Sequence, residues 1–189
     1  MNRLLSGAVK AAGALAVAGG AVLATALPAG AVTLPRSWGA QATGIVSLSQ
    51  VALSTPGTTP VTAFNVSAGG LFSASFVLDR SGPDTSYSKV EMPVVSVSSA
   101  LATISAGTAI SMCTTGLGGS TTLNGGSIVQ NGQPTIHLPV SPRINTQITI
   151  PGGVTITLDK QNYFGGIRQV TAIYVSYSGQ NVSIGVTRC

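Results

Sequence analysis

Residues 147–158 read Gln-Ile-Thr-Ile-Pro-Gly-Gly-Val-Thr-Ile-Thr-Leu. Apolar and polar side chains alternate on both sides of the Pro-Gly-Gly, which is the pattern of two half-buried strands. Proline fixes one φ angle and glycine adopts positive φ, so this tripeptide allows the tight reversal that a hairpin needs. The stretch therefore predicts an antiparallel β-hairpin.

Two more hairpins are predicted by the same reasoning. Ser127–Gln130 and Gln133–Leu138 are joined by an Asn-Gly pair, the strongest short turn signal. Val170–Tyr177 and Val182–Arg188 are joined by Ser-Gly-Gln. Three hairpins within the last third of the chain indicate an antiparallel sheet protein.

Earlier segments carry similar patterns. In Leu71–Leu78, the side chains of Phe72, Ala74, Phe76 and Leu78 are expected on one face. Further strands are predicted at Gly44–Leu53, Val61–Val66, Tyr87–Val97 and Leu101–Met112, with loops at Ser54–Pro60 and Asp79–Ser86.

The fold class follows from the number and spacing of these strands. About ten short strands with turn signals between them predict a single antiparallel β-sandwich, Ig-like or Greek-key, or a closed barrel. Little Lys, Glu or Leu is present to build helices. We expect the β domain at residues 44–189, preceded by an N-terminal lead-in at residues 32–43.

The first 31 residues have the pattern of a helical signal peptide. Arg3 and Lys10 supply the positive start, a run of small apolar residues follows, and Ala-Gly-Ala precedes the expected cleavage after Ala31. Ala26 offers an earlier cleavage site. The apolar run is short for a bilayer span, so cleavage is predicted rather than a retained anchor, with no membrane span in the mature chain.

Charge excludes one class of partner. The chain has 9 Lys and Arg against 4 Asp and Glu, and removing Arg3 and Lys10 with the leader lowers the net charge from +5 to +3. The remaining basic residues are scattered singly, with no cluster to follow a phosphate backbone. Nucleic acid is therefore not expected as a partner.

The two cysteines, Cys113 and Cys189, lie in the exported part of the chain. An even number of cysteines in an oxidising compartment indicates a disulfide. The alternative is a reactive or metal-binding thiol pair, which no CxxC spacing and no nearby histidine support.

Several motifs together resemble the choice-of-anchor P family of secreted actinobacterial proteins. They are an Ala-rich leader, a Gly-Ile-Val-Ser-Leu segment at residues 44–48, Met-Cys-Thr-Thr at 112–115, the hairpin already quoted, and a terminal Val-Thr-Arg-Cys. The resemblance covers about residues 44–189. It implies an exported β domain with Cys113 and Cys189 as the paired cysteines, and it implies no catalytic residues. No Leu-Pro-x-Thr-Gly signal is present, so release or non-covalent retention at the cell surface is expected.

His137 is the single histidine. It could act as a general base or a metal ligand. A Gly-x-Ser-x-Gly elbow is absent and acids are few, so we interpret His137 as a solvated strand residue.

Asp79, Asp84 and Glu91 form the densest acidic group. A paired-carboxylate glycosidase site and a calcium loop are both conceivable. The spacing matches no EF-hand, and we interpret the group as a solvated turn. No metal site and no cofactor are predicted.

Tyr163 and Phe164 precede two glycines, which would leave both rings exposed on a loop. Exposed aromatic rings can stack on sugars, so these residues are candidate ligand-binding aromatics. The alternative is that Phe164 plugs one end of the sandwich.

The sequence favours a secreted, non-catalytic protein of the cell envelope with a structural or binding role. The alternatives are a module that binds cell-wall carbohydrate through exposed aromatics and, less favoured, a secreted hydrolase. A surface protein is a further conceivable partner. Strands rich in β-branched residues and poor in charge also predict self-association through exposed edges.

Overall fold

The computed structural model describes residues 35–58 and 60–189, and the leader with its cleavage site lies outside them. The described residues form fifteen strands and one short 3-10 helix at Ser98–Ala100. The strands are β1 Arg36–Thr43, β2 Leu48–Val51, β3 Val61–Ala68, β4 Phe72–Ser81, β5 Thr85–Glu91, β6 Val94–Val97, β7 Ala102–Ser105, β8 Thr108–Thr114, β9 Gly118–Asn124, β10 Ser127–Gln130, β11 Ile136–His137, β12 Thr146–Ile150, β13 Val154–Phe164, β14 Ile167–Tyr177 and β15 Gln180–Arg188.

The strands build two antiparallel sheets that pack as a sandwich, which confirms the predicted fold class and excludes the closed barrel. One sheet has six strands in the order β12-β13-β14-β15-β1-β2, and the other has nine. All three predicted hairpins are present. Ile150 pairs with Val154 across the Pro-Gly-Gly turn, and Tyr177 pairs with Gln180. The Asn-Gly hairpin returns only through the two residues of β11.

The expected number of about ten strands is too low because several long strands are interrupted. Strands β5 and β6 both pair with β4, and the pairing of β6 continues the register of β5. The break falls at Met92-Pro93, where Met92 has a φ of +49° and proline has no N–H to pair. In the same way, Ala106-Gly107 interrupts one long strand to give β7 and β8, and Gly125-Gly126 interrupts another to give β9 and β10.

The first strand of the described residues begins at Arg36, so the expected lead-in at residues 32–43 is wrong from that residue onward. Strand β1 pairs with β15 on one side and β2 on the other. The sequence pattern did not predict β1 because side chains on both of its faces are buried. Trp38 and Ala40 are buried on one pair of positions, and Ser37 and Gly39 are buried as well. Strict alternation of polar and apolar residues is expected only where one face is solvated.

A line of four residues crosses the six-stranded sheet and reverses which side chains face the interior. The pairing skips Asp159, Ala172, Gly185 and Gly39, which lie opposite one another on neighbouring strands. Asp159 and Gly185 have positive φ angles of 47° and 61°. In β13, Ile156 and Leu158 face the core on one side of this reversal line, whereas Asp159 and Gln161 do so on the other.

The nine-stranded sheet has the same irregularity, which corrects the predicted face of β4. Asn65, with a φ of +50°, lies opposite Ser75, and the pairing skips both. Phe72 and Ala74 are buried before this point. Beyond it Val77 is buried instead, and Phe76 lies on the outer face, where its ring is 5.1 Å from that of Phe64.

The sandwich interior consequently has two parts. The apolar half contains Val95, Ile104, Ile128, Ile156, Leu158 and Ile184 among other aliphatic side chains. In the polar half, a row of cross-strand neighbours runs over four strands of the nine-stranded sheet, and all four residues are buried. This polar row is Asp79, Ser88, Ser111 and Thr121.

The disulfide closes the polar half. Cys113 in β8 is bonded to Cys189, just after β15, with a Cα–Cα separation of 5.6 Å. It therefore links the two sheets at the end of the sandwich that has fewer apolar contacts. The predicted disulfide is confirmed.

Candidate functional site

Tyr163 and Phe164 end strand β13, at the tip of its hairpin with β14. Gly165 and Gly166 form the turn with φ angles of +56° and +85°, which suits a two-residue hairpin loop. Tyr163 is 61% exposed and Phe164 57% exposed. The rings are exposed, as their glycine flanks predict, and Phe164 does not plug the sandwich.

The two rings do not form one platform. Successive residues of a strand project from opposite faces, and Tyr163 lines a depression that Phe164 does not reach. This depression has a volume of about 230 Å³ and lies between the β13–β14 turn and the turn that joins β8 to β9. We call it the tip site, with Tyr163, Arg168, Thr114 and Thr115 as its principal side chains.

Arg168 is the cation of the tip site. It pairs with Tyr163 across the hairpin, and its guanidinium carbon lies 4.8 Å from the centre of the Tyr163 ring. Its backbone exchanges two hydrogen bonds with Cys189, at 2.8 and 3.0 Å. The disulfide therefore holds the backbone from which Arg168 projects.

The opposite wall depends on a glycine. A Cβ atom at Gly118 would overlap Nη1 of Arg168 in its present position, and the φ angle of +121° at Gly118 favours glycine. The Thr115 N–H donates to the Asp84 carbonyl at 2.8 Å, and the Leu117 N–H donates to the Thr114 carbonyl at 3.1 Å. These bonds fix the turn on which Thr114 and Thr115 line the depression.

Asp79 is not in a solvated turn, and this part of the acidic-group interpretation is wrong. Strand β4 extends to Ser81, so Asp79 lies inside the strand and is fully buried. The charges around it suggested a loop, but the reversed face of β4 turns Asp79 inward. The turn is shorter than predicted and contains the exposed Asp84.

Burial raises the pKa of Asp79 to about 8. The Ser88 and Ser37 hydroxyls and the Gly39 N–H offset part of this effect. None of them makes a well-formed hydrogen bond to either carboxyl oxygen. Asp79 is therefore a largely neutral carboxylic acid at pH 7.

Asp159, which the sequence reasoning did not single out, lies in β13 of the six-stranded sheet and contacts Thr121 at the other end of the polar row. Its carboxylate accepts a hydrogen bond from the Thr121 hydroxyl at 3.0 Å and bonds from the Gln161 amide at 3.2 Å. Three strand spacings separate Asp79 from Thr121 along the row, which is about 14 Å. The paired carboxylates of glycosidases lie closer together than this.

The remaining candidates lie elsewhere. His137 is exposed on β11 and pairs with Ser127. Glu91 accepts a 2.6 Å bond from Lys89 and thereby raises the pKa of that lysine. Asp84, Asp79 and Glu91 are not brought together, and within residues 35–58 and 60–189 no three His, Cys, Asp or Glu side chains converge as a metal site would require.

A second depression of about 410 Å³ lies on the outer face of β4 and β5, where Arg80, Tyr87 and Lys89 line it. Its ring is half-buried, and its lysine is paired with Glu91. It therefore resembles the tip site in charge but offers less aromatic surface.

Comparison with family models, curated proteins and solved structures finds no match. The resemblance to the choice-of-anchor P family stays a prediction. No helix among the described residues has the length and hydrophobicity to cross a bilayer.

Proposed function

We propose that this chain is a secreted, non-catalytic protein of the cell envelope that binds another envelope component. The leader pattern at residues 1–31 supports export. The disulfide is consistent with an oxidising compartment. An actinobacterial origin rests on the family resemblance alone.

The observation that carries a binding role is the tip site itself. It combines a mostly exposed ring, a guanidinium and two hydroxyls on turns that hydrogen bonds and the disulfide hold in place. Binding groups fixed before the ligand arrives lose little conformational entropy on binding. The ionisable side chains are dispersed, with Asp79 at one end of the polar row and Asp159 in contact with the other end.

Purified mature protein should bind envelope material without turning it over. Cell-wall fractions are incubated with the protein, and bound protein and released soluble products are measured together. Saturable binding without product release is the expected result. A hydrolytic rate that disappears in His137→Ala or Asp84→Asn would refute the non-catalytic assignment.

Carbohydrate is the second and more specific candidate, because Tyr163 has the exposure and the open neighbourhood that stacking on a sugar ring needs. Pull-downs on peptidoglycan, chitin and arabinogalactan test it. Tyr163→Ala is expected to abolish retention, whereas Phe164→Ala should weaken it less because Phe164 faces away from the depression.

Phe64→Ala is the matched control for these two variants. Phe64 is 69% exposed but belongs to the nine-stranded sheet, and its ring contacts Phe76 rather than the tip site. Retention that falls equally in Phe64→Ala and Tyr163→Ala would mean that the carbohydrate is bound non-specifically by exposed aromatic residues and not by the tip site.

A further inference from the structure

We infer that Arg168 makes the tip site selective for sugars that carry an acidic group, a carboxylate or a phosphate, over neutral sugars of the same ring type. This inference rests on the proposed binding of carbohydrate at Tyr163. It adds the chemical class of the ligand and the residue that selects it.

Arg168 brings a positive charge to the tip site. The ion pair found within residues 35–58 and 60–189 joins Lys89 to Glu91. No described acidic side chain forms an ion pair with Arg168. Guanidinium groups form forked, bidentate hydrogen bonds with carboxylate and phosphate oxygens, and such charge-assisted bonds are about twice as strong as neutral ones.

Among the described residues, two other cations lie over an aromatic ring, and their surroundings differ from those of Arg168. Arg188 covers Trp38, whose ring is buried. Lys160 covers Tyr174, whose hydroxyl donates to Asn181 at 2.7 Å. Only the Arg168–Tyr163 pair, of these three, has a mostly exposed ring that lines a depression.

Tyr163 stacks against one side of the guanidinium, and Gly118 leaves space for its Nη1 atom. A sugar that stacks on the exposed part of the Tyr163 ring would place an acidic substituent within reach of the remaining guanidinium N–H groups. Thr114 and Thr115 line the same depression, and threonine hydroxyls can both donate to and accept from the neutral hydroxyls of a sugar ring.

The test uses three probes in calorimetric titrations: an oligogalacturonide, its methyl ester, and a phosphorylated mannose oligosaccharide. The acid and its ester share the same rings, so their difference isolates the charge. We expect the oligogalacturonide, the phosphorylated sugar or both to bind at least about tenfold more tightly than the ester, because one charge-assisted pair replaces a neutral contact. The stronger of the two acidic probes identifies the source of the charge.

Arg168→Gln should reduce affinity for the preferred acidic probe to about that of the ester, so that the preference for the acid disappears. Arg168→Lys should retain part of the preference, since it keeps the charge but loses the planar fork. Arg80→Gln removes an equal charge from the other depression and should change neither affinity. Thermal unfolding and an intact disulfide by mass spectrometry establish that each variant is folded.

Three results would overturn the inference, and they differ in scope. Equal binding of acid and ester, or equal losses in Arg168→Gln and Arg80→Gln, refutes the selectivity while the carbohydrate function stands. Binding of none of the three probes, together with no retention on wall polysaccharides, refutes the carbohydrate function and this inference with it.

Discussion

The two halves of the sandwich interior are built on different principles. The apolar half packs aliphatic side chains such as Ile156 and Leu158. The polar half, at the same level of burial, contains Asp79, Ser111 and Thr187, each with a side-chain oxygen that receives or donates no hydrogen bond. Burying such groups costs free energy. Hydrophobic packing therefore explains the stability of the apolar half but not that of the polar half.

The disulfide cross-links the polar half. Its removal should have the largest effect on stability that we predict. In the double variant Cys113→Ala/Cys189→Ala the free energy of unfolding should fall by about 4–5 kcal/mol, because the cross-link closes a long loop of the unfolded chain. Chemical denaturation measures the loss. Hydrogen exchange should then increase first in β8, β9 and the end of β15. An increase confined to β6, β7 and β10 would contradict the division into two halves.

Truncation in the apolar half comes next in size. Ile156→Ala should lower the free energy of unfolding by about 3–4 kcal/mol, because a fully buried aliphatic side chain is lost and a cavity remains. Urea denaturation measures it, with Thr149→Ala in the neighbouring strand β12 as a control of small effect. A loss below about 1 kcal/mol would mean that the interior of this half is loosely packed.

The smallest predicted effects distinguish two hydroxyls of the polar row. Thr121 donates to Asp159, so Thr121→Val should cost about 1–3 kcal/mol by leaving a buried carboxylate short of a partner. Ser111 Oγ has no partner, so Ser111→Ala should change stability by less than about 0.5 kcal/mol or increase it slightly. The two variants are compared by thermal unfolding at one pH. A loss in Ser111→Ala as large as that in Thr121→Val would show that Ser111 is hydrogen-bonded after all.

Features set by neighbours in the sequence were predictable. The Pro-Gly-Gly and Asn-Gly turns and the exposure of Tyr163 depend on backbone preferences of a few adjacent residues, and each appears in the structure. The disulfide followed from the number of cysteines and the leader pattern, without any knowledge of strand order.

Features set by a single residue within a strand were not predictable. Asn65 in β3, opposite Ser75 of β4, and Asp159 in β13 have left-handed backbone conformations at the points where the inward faces reverse. Asn and Asp adopt this conformation more readily than most residues, but the sequence does not mark which Asn or Asp does so. The reversal explains why Phe76 lies outside and why the Asp79 carboxyl lies inside. Arg168 was missed as well, because the β8–β9 turn that completes its site is distant in sequence.

The polar half contains a buried carboxyl group, that of Asp79, which has no hydrogen-bond partner among the described residues. The effect of burying this carboxyl group is measured by the free energy of unfolding of the wild type and of Asp79→Asn between pH 4 and 9. Burial raises the pKa of Asp79 from 3.8 to about 8, so the folded state holds a proton that the unfolded state releases within this window. The contribution of protonated Asp79 to the free energy of unfolding is therefore fully present below pH 4, and it is lost progressively as the pH rises to about 8. Relative to Asp79→Asn, the wild type should therefore lose stability steadily between pH 4 and 8 and level off above that. A difference between the two proteins that does not change with pH would contradict the account.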